Sequence, residues 1–256
     1  MKSIMKSSLI LTVFLSLSPL FIAGNAAAQA TPTSVASLRN TNPYYYVGRV
    51  TMNHGSSSYI GSGTVIKPSS VLTAGHNLYD RTTGWSTNVV FQRSYHNGTY
   101  ASTTSASRLF ILGGYSSAVG TYGSTSSQAF SRDTGGIICF TRPMNGGYAG
   151  WWQNPAMLTG TAYNMSLGYG GVVHSGKELL RSSPTRVFYQ VYGAWYRNTS
   201  YGIEGGMSGG PLFAQSGGNW YVVAVNVSGD TNSISTGSGV RAIDVDTANL
   251  IKTNLP

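Results

Sequence analysis

The chain has 256 residues, of which 9% are charged, and 16 Lys and Arg against 7 Asp and Glu give a formal net charge of +9. This excess comes from a shortage of acids and not from a basic stripe with interleaved aromatics, so nucleic acid is excluded as an expected partner. The single cysteine excludes an intrachain disulfide, and the fold must rest on its hydrophobic core.

Residues 1–30 have the features of a secretory signal peptide. Lys2 and Lys6 precede an apolar run from Leu9 to Ile22, and residues 26–30 (AAAQA) offer small-x-small cleavage sites. The run is shorter than the ~20 residues that a membrane-spanning helix needs. We therefore expect a secreted protein, extracellular or periplasmic, without membrane association after cleavage. The polar residues 31–43 are expected to form a propeptide or an N-terminal arm.

From residue 44 onward the sequence predicts an all-β fold. Helical surfaces usually carry many Glu and Lys, and the scarcity of both here favours strands and turns. Short apolar segments recur at a spacing typical of a sandwich or a barrel. A first set comprises residues 44–50, 63–66, 70–73, 88–91, 109–112 and 136–140, and a second set comprises 162–169, 185–192, 210–213 and 220–227. The Pro- and Gly-containing stretch 143–147 is the expected junction.

Three further segments carry local predictions. Residues 102–127 are rich in Ser, Thr and Gly, which indicates long surface loops. One helix is expected, at the C-terminal end, capped by Asp244 or Asp246 and running to about Lys252. Cys139 lies in an apolar segment and is expected to be a buried packing residue, not a nucleophile.

Ser208 is the candidate nucleophile. It stands in residues 205–211 (GGMSGGP), where flanking glycines allow a sharp turn that exposes the hydroxyl and lets neighbouring N–H groups converge. A neutral serine hydroxyl is a poor nucleophile, and it needs a histidine to take its proton and an acid to orient that histidine.

The order of histidines and acids along the chain restricts the possible triads. The α/β-hydrolase order places the histidine after the serine, but the last histidine is His174. The subtilisin order places an Asp before the histidine. No Asp precedes His76, and a triad of that order that uses His96 or His174 lacks any supporting context. The order His, Asp, Ser remains, with His76 at the end of an apolar strand. Its partner is Asp80 or Asp133, and Asp133 is favoured because it leads into an apolar strand.

The sequence resembles the bacterial glutamyl-endopeptidase (V8-like) branch of the chymotrypsin-like (trypsin-like) serine proteases. The resemblance rests on residues 61–76 (GSGTVIKPSSVLTAGH), 46–50 (YVGRV), 168–170 (GYG) and 205–211, and it spans roughly residues 44–251. The match around Asp133 is looser, because Asp-Thr-Gly-Gly stands where the family usually has Asp-hydrophobic-Ala.

This resemblance implies two perpendicular six-stranded antiparallel β-barrels, residues 44–142 and 143–256, the second ending in the helix. His76 and Asp133 would come from the first barrel and Ser208 from the second. The backbone N–H groups of Gly206 and Ser208 would form the oxyanion hole. The segment 225–229 would line the substrate, which makes Asn226, Val227, Ser228 and Gly229 candidate substrate-binding residues.

Two departures from the family bear on activation and specificity. Met207 replaces the Asp that pairs with a new N terminus in vertebrate trypsin-like enzymes, so activation through that ion pair is not expected. Asn226 replaces the His of glutamate-specific members, and an Asn supplies no positive charge to a substrate carboxylate. Glu204 could instead favour a basic or polar substrate side chain, or it could be a solvated loop acid.

The predicted function is therefore that of a secreted serine endopeptidase that acts on proteins or peptides. It is expected to require no metal or other cofactor and to work as a monomer. One alternative is a catalytically silent protease homologue that serves as a secreted binding or adhesion module, which predicts the loss of a triad residue. A secreted carbohydrate-binding protein would not account for the His and Ser motifs at family spacing.

Overall fold

A computed structural model describes residues 31–141, 146–172, 174–183, 187–229 and 237–256. The predicted signal peptide, residues 1–30, lies outside the described residues, as does most of the expected junction at 143–147. The division into domains therefore stays a prediction. Among the described residues, no helix is both long enough and apolar enough to cross a membrane.

The first half forms a closed six-stranded barrel. Its strands follow the order β2-β3-β4-β9-β8-β7. Val50 pairs with Phe91 across β2 and β7, and both side chains are fully buried inside the barrel. The strands before residue 146 are β1 (Thr33–Ser34), β2 (Val47–His54), β3 (Ser57–Lys67), β4 (Ser70–Thr73), β5 (Tyr79–Asp80), β6 (Gly84–Trp85), β7 (Thr87–Arg93), β8 (Ser102–Ile111) and β9 (Gly135–Cys139).

The second half is a nine-stranded sheet in the described part of the chain. Its order is β1-β12-β11-β15-β16-β17-β14-β13, with β10 pairing in parallel with β16. Its strands are β10 (Gly150–Trp151), β11 (Asn164–Gly168), β12 (Leu180–Ser182), β13 (Tyr189–Tyr192), β14 (Trp195–Asn198), β15 (Pro211–Ser216), β16 (Asn219–Ser228) and β17 (Ser238–Ala242). The predicted all-β class with two β units and a C-terminal helix is confirmed.

Residues 33–35 of the N-terminal segment 31–43 pack against the second half. Strand β1 pairs with β12, and Val35 is buried with its N–H donating to the Leu179 carbonyl at 2.9 Å. The Ser34 hydroxyl donates to Glu178 at 2.6 Å. A sheet edge and a core residue therefore come from this segment, and its assignment as a propeptide or an N-terminal arm stays a prediction.

The prediction of long loops over residues 102–127 is wrong. Residues 102–111 form strand β8, and an α-helix, α1 (Tyr115–Tyr122), follows. Ser, Gly and Thr are weak helix formers, so the sequence gives little sign of α1. The helix is held by burial of Tyr115, Ala118 and Val119. Two single helical turns, α2 (Ser127–Phe130) and α3 (Ala156–Thr159), were also not predicted.

The C-terminal helix, α4 (Val245–Asn254), begins at Asp244 and connects the two halves. The Asp244 carboxylate accepts a hydrogen bond from the Thr247 N–H at 3.0 Å, as predicted for an N-cap. Beyond the helix, the Leu255 carbonyl accepts from Lys67 Nζ at 2.5 Å and the Pro256 carbonyl accepts from Ser70 Oγ at 2.8 Å. The segment after the second sheet is therefore fixed to the first barrel.

The start of α4 is also the site of an ion pair whose arginine is buried. Arg241 is 1% exposed and donates to the Asp244 carboxylate, the Ser131 carbonyl and the Thr247 hydroxyl. By contrast, the ion pair between Arg132 and Asp246 is exposed at both side chains. The two pairs offer a direct comparison of buried and exposed charge in one region.

We expect Arg241→Met to lower the free energy of unfolding by about 3 kcal/mol, because it leaves buried acceptors and a carboxylate without their partner. The matched variant Arg132→Met should cost less than about 1 kcal/mol, because its pair is solvated. Urea unfolding followed by tryptophan fluorescence measures both values. Equal losses in the two variants would contradict this assignment of the buried pair.

Candidate active site

His76 lies where strand β4 ends and a single 3₁₀ turn, Gly75–Asn77, begins. Its ring Nδ1 is 2.6 Å from Asp133 Oδ2, and its backbone N–H donates to Asp133 Oδ1 at 2.8 Å. The His76 side chain is one-third exposed, whereas that of Asp133 is 2% exposed. The carboxylate therefore fixes both the ring and the backbone of His76 from the protein interior, while the ring stays accessible from the cleft.

Asp133 follows the helical turn α2 and precedes strand β9. The alternative partner, Asp80, accepts hydrogen bonds from Thr82 and Thr83 within its own turn, and none of its described hydrogen bonds reaches His76. Of the two acids that chain order allowed, the structure thus brings Asp133 to His76.

Burial and charge oppose each other at His76. Burial of the imidazole lowers its pKa, but the negative charge of Asp133 and its hydrogen bond raise it by more, so that the pKa of His76 lies above its ordinary value of 6.5. At His54, burial lowers the pKa and outweighs the opposing charge of Asp80.

Ser208 is attached to the His76 turn through its backbone. The Ser208 carbonyl accepts a hydrogen bond from the Ser62 N–H at 2.7 Å and another from Asn77 Nδ2 at 3.0 Å. Asn77 is next to His76 in the chain, so one residue links the two candidate catalytic groups. Within the described residues no hydrogen bond joins Ser208 Oγ to the His76 ring; in ligand-free sites such contacts are often long.

The turn before Ser208 is a type II turn. The Met207 N–H donates to the Glu204 carbonyl at 3.0 Å, and Gly206 has a φ of +99°. A type II turn requires a positive φ at its third residue, which glycine adopts without steric cost. A Cβ at Gly206 would also lie 2.5 Å from the Tyr169 carbonyl oxygen. Only glycine fits this position.

The other three carbonyl groups of this turn each accept a hydrogen bond from another part of the chain. The Gly205 carbonyl accepts from the Gly171 N–H at 2.6 Å, and the Gly206 carbonyl accepts from Ser62 Oγ at 2.8 Å. The Met207 carbonyl accepts from Asn226 Nδ2 at 3.2 Å. These bonds fix the orientation of three successive peptide groups.

The N–H groups of the same turn are left for a ligand. Among the described residues, the N–H groups of Gly206 and Ser208 donate to no protein acceptor, whereas that of Met207, between them, is bonded within the turn. Two free donors from alternate residues of a rigid turn can converge on one oxygen atom.

Asn226 has a different place from the one expected of a substrate ligand. It is fully buried, and its amide nitrogen donates to the Leu167 and Met207 carbonyls while its oxygen accepts from Ser166 and Tyr201. Because these contacts occupy the whole amide, the expectation that Asn226 lines the substrate pocket is replaced by a role in holding the turn. Met207 is also fully buried, among apolar side chains of the second sheet.

Glu204 is neither a solvated loop acid nor free to meet a basic substrate side chain. Its Oε1 is 2.5 Å from His174 Nδ1, and both side chains are mostly buried. No motif or spacing in the sequence pointed to His174 as this partner.

The remaining candidate residues follow one another at the end of β16. Val227 lines a hollow of about 670 Å³ together with His76 and Asp80. The Ser228 hydroxyl accepts from Trp195 Nε1 at 3.4 Å, and Gly229 is exposed. A second hollow of about 780 Å³ is lined by Ile60, Gly205 and Gly206. The described residues contain no group of three or more His, Cys, Asp or Glu that could hold a metal ion.

Comparison with known proteins gives one relative in sequence and several in structure. No protein-family model matches the chain. The chain is 32% identical over 183 residues to a glutamyl endopeptidase of Bacillus licheniformis, a match that covers 70% of this chain and 52% of that protein. The chain thus spans about half the length of this relative.

Three solved structures share the fold. A Glu endopeptidase in complex with MPD has a TM-score of 0.69 at 23% identity and covers 88% of this chain and 96% of that one. Protease Anisep from Arthrobacter nicotinovorans has a TM-score of 0.66 at 23% identity, with coverages of 87% and 98%. The thermostable serine protease AL20 from an extremophilic microorganism has 0.65 at 18%, with coverages of 80% and 94%.

We expect His76 to titrate above pH 6.5 and His54 below it, because Asp133 raises the pKa of His76 while burial lowers that of His54. NMR titration of the ring protons measures both, and Asp133→Asn should lower the pKa of His76. A raised pKa in the folded state means that the protonated ring stabilises the fold below about pH 6.5. This stabilisation is lost as the pH rises through the folded pKa. A pKa of His54 above that of His76 would contradict the assignment of Asp133 as the partner of His76.

Proposed function

The chain has the chymotrypsin-like protease fold and is related in sequence to the V8-like glutamyl endopeptidases, and from that premise we propose that it is a secreted serine endopeptidase. The observation that carries the proposal is the arrangement around Ser208. His76 is hydrogen-bonded to the buried carboxylate of Asp133 and is adjacent in sequence to Asn77, which donates to the Ser208 carbonyl. The N–H groups of Gly206 and Ser208, on either side of Met207, donate to no acceptor among the described residues.

In the proposed mechanism, Ser208 Oγ attacks the carbonyl carbon of the scissile peptide bond while its proton passes to His76 Nε2. Asp133 keeps the other ring nitrogen protonated and stabilises the imidazolium. The negative charge formed on the carbonyl oxygen is accepted by the N–H groups of Gly206 and Ser208, each worth roughly 3–4 kcal/mol in such sites.

Collapse of the tetrahedral intermediate breaks the C–N bond, and the leaving amine takes the proton from His76. A water molecule then attacks the acyl-enzyme ester, giving its proton to His76, and the ester C–O bond to Ser208 breaks. The product acid leaves, and Ser208 Oγ recovers its proton. Every proton transfer uses residues of this chain, so the proposed reaction needs no metal or cofactor.

We extend the proposal to export and partners. The sequence of residues 1–30 supports secretion through a cleaved signal peptide. The proposed substrates are proteins or peptides, which would lie along residues 225–229 as an added strand. We propose a monomer without membrane association. The silent-homologue alternative predicts a missing catalytic residue, and His76, Asp133 and Ser208 are all present.

We do not extend the preference named for the relative from Bacillus licheniformis to this chain. Recognition of a substrate glutamate needs a cation or a set of free donors in the pocket. The amide of Asn226 is occupied by protein groups, and the sequence from 226 to 237 contains no Lys, Arg or His. Glu204 is bound by His174 and does not supply a free negative charge for a basic side chain either. We propose a preference for uncharged side chains before the scissile bond.

The full chain, exported and collected from the medium, should be labelled at Ser208 by a fluorophosphonate probe. Ser208→Ala should abolish labelling, and Asp133→Asn should slow it by roughly 10³-fold or more, because the imidazole loses its orienting acid. Gel fluorescence with mass spectrometry of the labelled peptide measures both. Folded protein that is not labelled at Ser208 would support the silent homologue instead.

A pair of peptides that differ only by Glu or Gln before the scissile bond tests the pocket. We expect kcat/KM for the Gln peptide to equal or exceed that for the Glu peptide, because residues 226–237 supply no cation to compensate the desolvation of a carboxylate. Mass spectrometry of the digest confirms the bond that is cut. A preference of tenfold or more for Glu would refute the uncharged pocket while leaving the catalytic proposal intact.

A further inference from the structure

His174 and Glu204 form a pair that none of the steps above uses. His174 Nδ1 and Glu204 Oε1 are 2.5 Å apart, and the side chains of His174 and Glu204 are 23% and 11% exposed. Hydrogen bonds between ionisable groups are strong when they are shielded from water. The pair joins two segments that lie 30 residues apart in the sequence.

Glu204 is the first residue of the type II turn that precedes Ser208. Its backbone carbonyl closes the turn by accepting from Met207, while its side chain reaches out to His174. The packing leaves no space around this carboxylate on one side, since a Cβ at Gly170 would lie 2.2 Å from Glu204 Cδ.

The segment that carries His174 also contacts the turn through its backbone. The Gly171 N–H donates to the Gly205 carbonyl at 2.6 Å, and the Gly176 N–H closes the segment by donating to the Gly170 carbonyl at 2.6 Å. Arg49 of the first barrel donates to the Gly176 carbonyl at 3.3 Å. The Glu204 side chain is therefore attached to a segment that is itself anchored to the first barrel.

The turn needs an external restraint because its own sequence does not fix it. Its two central residues are Gly205 and Gly206, which allow the peptide between them to flip to the type I arrangement at little steric cost. That flip would point the Gly206 N–H away from the site. Met207 is buried and apolar, so it cannot supply the ion pair that an Asp supplies at this position in vertebrate trypsin-like enzymes.

We propose that His174 and Glu204 are positioning residues that hold this turn with its two N–H groups directed at the reacting oxygen. The inference rests on the proposed function, since it assigns the pair to the oxyanion hole of that reaction. The pair acts on the first residue of the turn, the Gly171 bond acts on the second, and together they resist the flip. Loss of the pair reduces the fraction of molecules with the turn in its working form, and kcat falls by the same factor.

The test compares two disrupting variants, His174→Ala and Glu204→Gln, with one conservative variant, His174→Asn. His174→Asn keeps an N–H donor near the position of Nδ1, whereas Glu204→Gln removes the charge of the carboxylate and with it the charge-assisted hydrogen bond. Glu178→Gln is the matched control, because Glu178 binds Ser34 outside the turn. The readouts are the rate of fluorophosphonate labelling, kcat and KM on one peptide, and Tm.

We expect His174→Ala to lower kcat and the labelling rate by about tenfold or more with KM changed less than about twofold, as for a shifted population. His174→Asn should recover to within about threefold of wild type, and Glu178→Gln should match wild type. If His174→Ala does not fold, Glu204→Gln gives the same comparison, with a loss in kcat and not in KM.

Wild-type values of kcat and labelling rate in both His174→Ala and Glu204→Gln would overturn the role of the pair. A loss of kcat that His174→Asn does not restore and that accompanies a lowered Tm would also overturn this role, since that pattern indicates general destabilisation. These results require a labelled wild-type protein. An unlabelled wild-type protein would overturn the proposed function itself, so the two failures are distinguished by the first measurement.

Discussion

The turn before Ser208 has almost no conformational preference of its own, and its shape depends on hydrogen bonds supplied from elsewhere. Gly205 and Gly206 permit several arrangements, but their carbonyl groups are held by Gly171 and Ser62, and the carbonyl of Met207 is held by Asn226. These donors come from three separate parts of the chain. The two free N–H groups are thus a product of the tertiary structure, and preorganised donors of this kind carry most of the electrostatic stabilisation in such reactions.

The two halves of the protein meet at the same point. Ser62 and Asn77 belong to the first barrel, and both donate to the carbonyl of Ser208 in the second sheet. His76 and Asp133 are fixed to each other by two bonds within the first barrel. The geometry between His76 and Ser208 is therefore set by the contact between the halves.

Local sequence predicted the fold class, the terminal helix and the neighbourhood of His76 and Ser208, because these depend on short apolar segments and glycine-rich turns. Asp133 was reached by elimination, since the chain has few acids. The pair of His174 and Glu204 was not predicted, because its members meet only through the folding of two distant loops. The burial of Asn226 was missed for the same reason, since its partners are remote in sequence. The helix α1 was missed because its Ser, Gly and Thr residues are weak helix formers.

The segments at the two ends of the described chain each pack against the half of the protein that is farther from them in sequence. Strand β1, which precedes the first barrel, adds an edge to the second sheet, and the residues after α4 bond to Lys67 and Ser70 of the first barrel. Contacts between such distant residues raise the contact order, which slows folding. Neither half has all of its native partners until both have been synthesised, so we expect the chain to fold as one cooperative unit after translation.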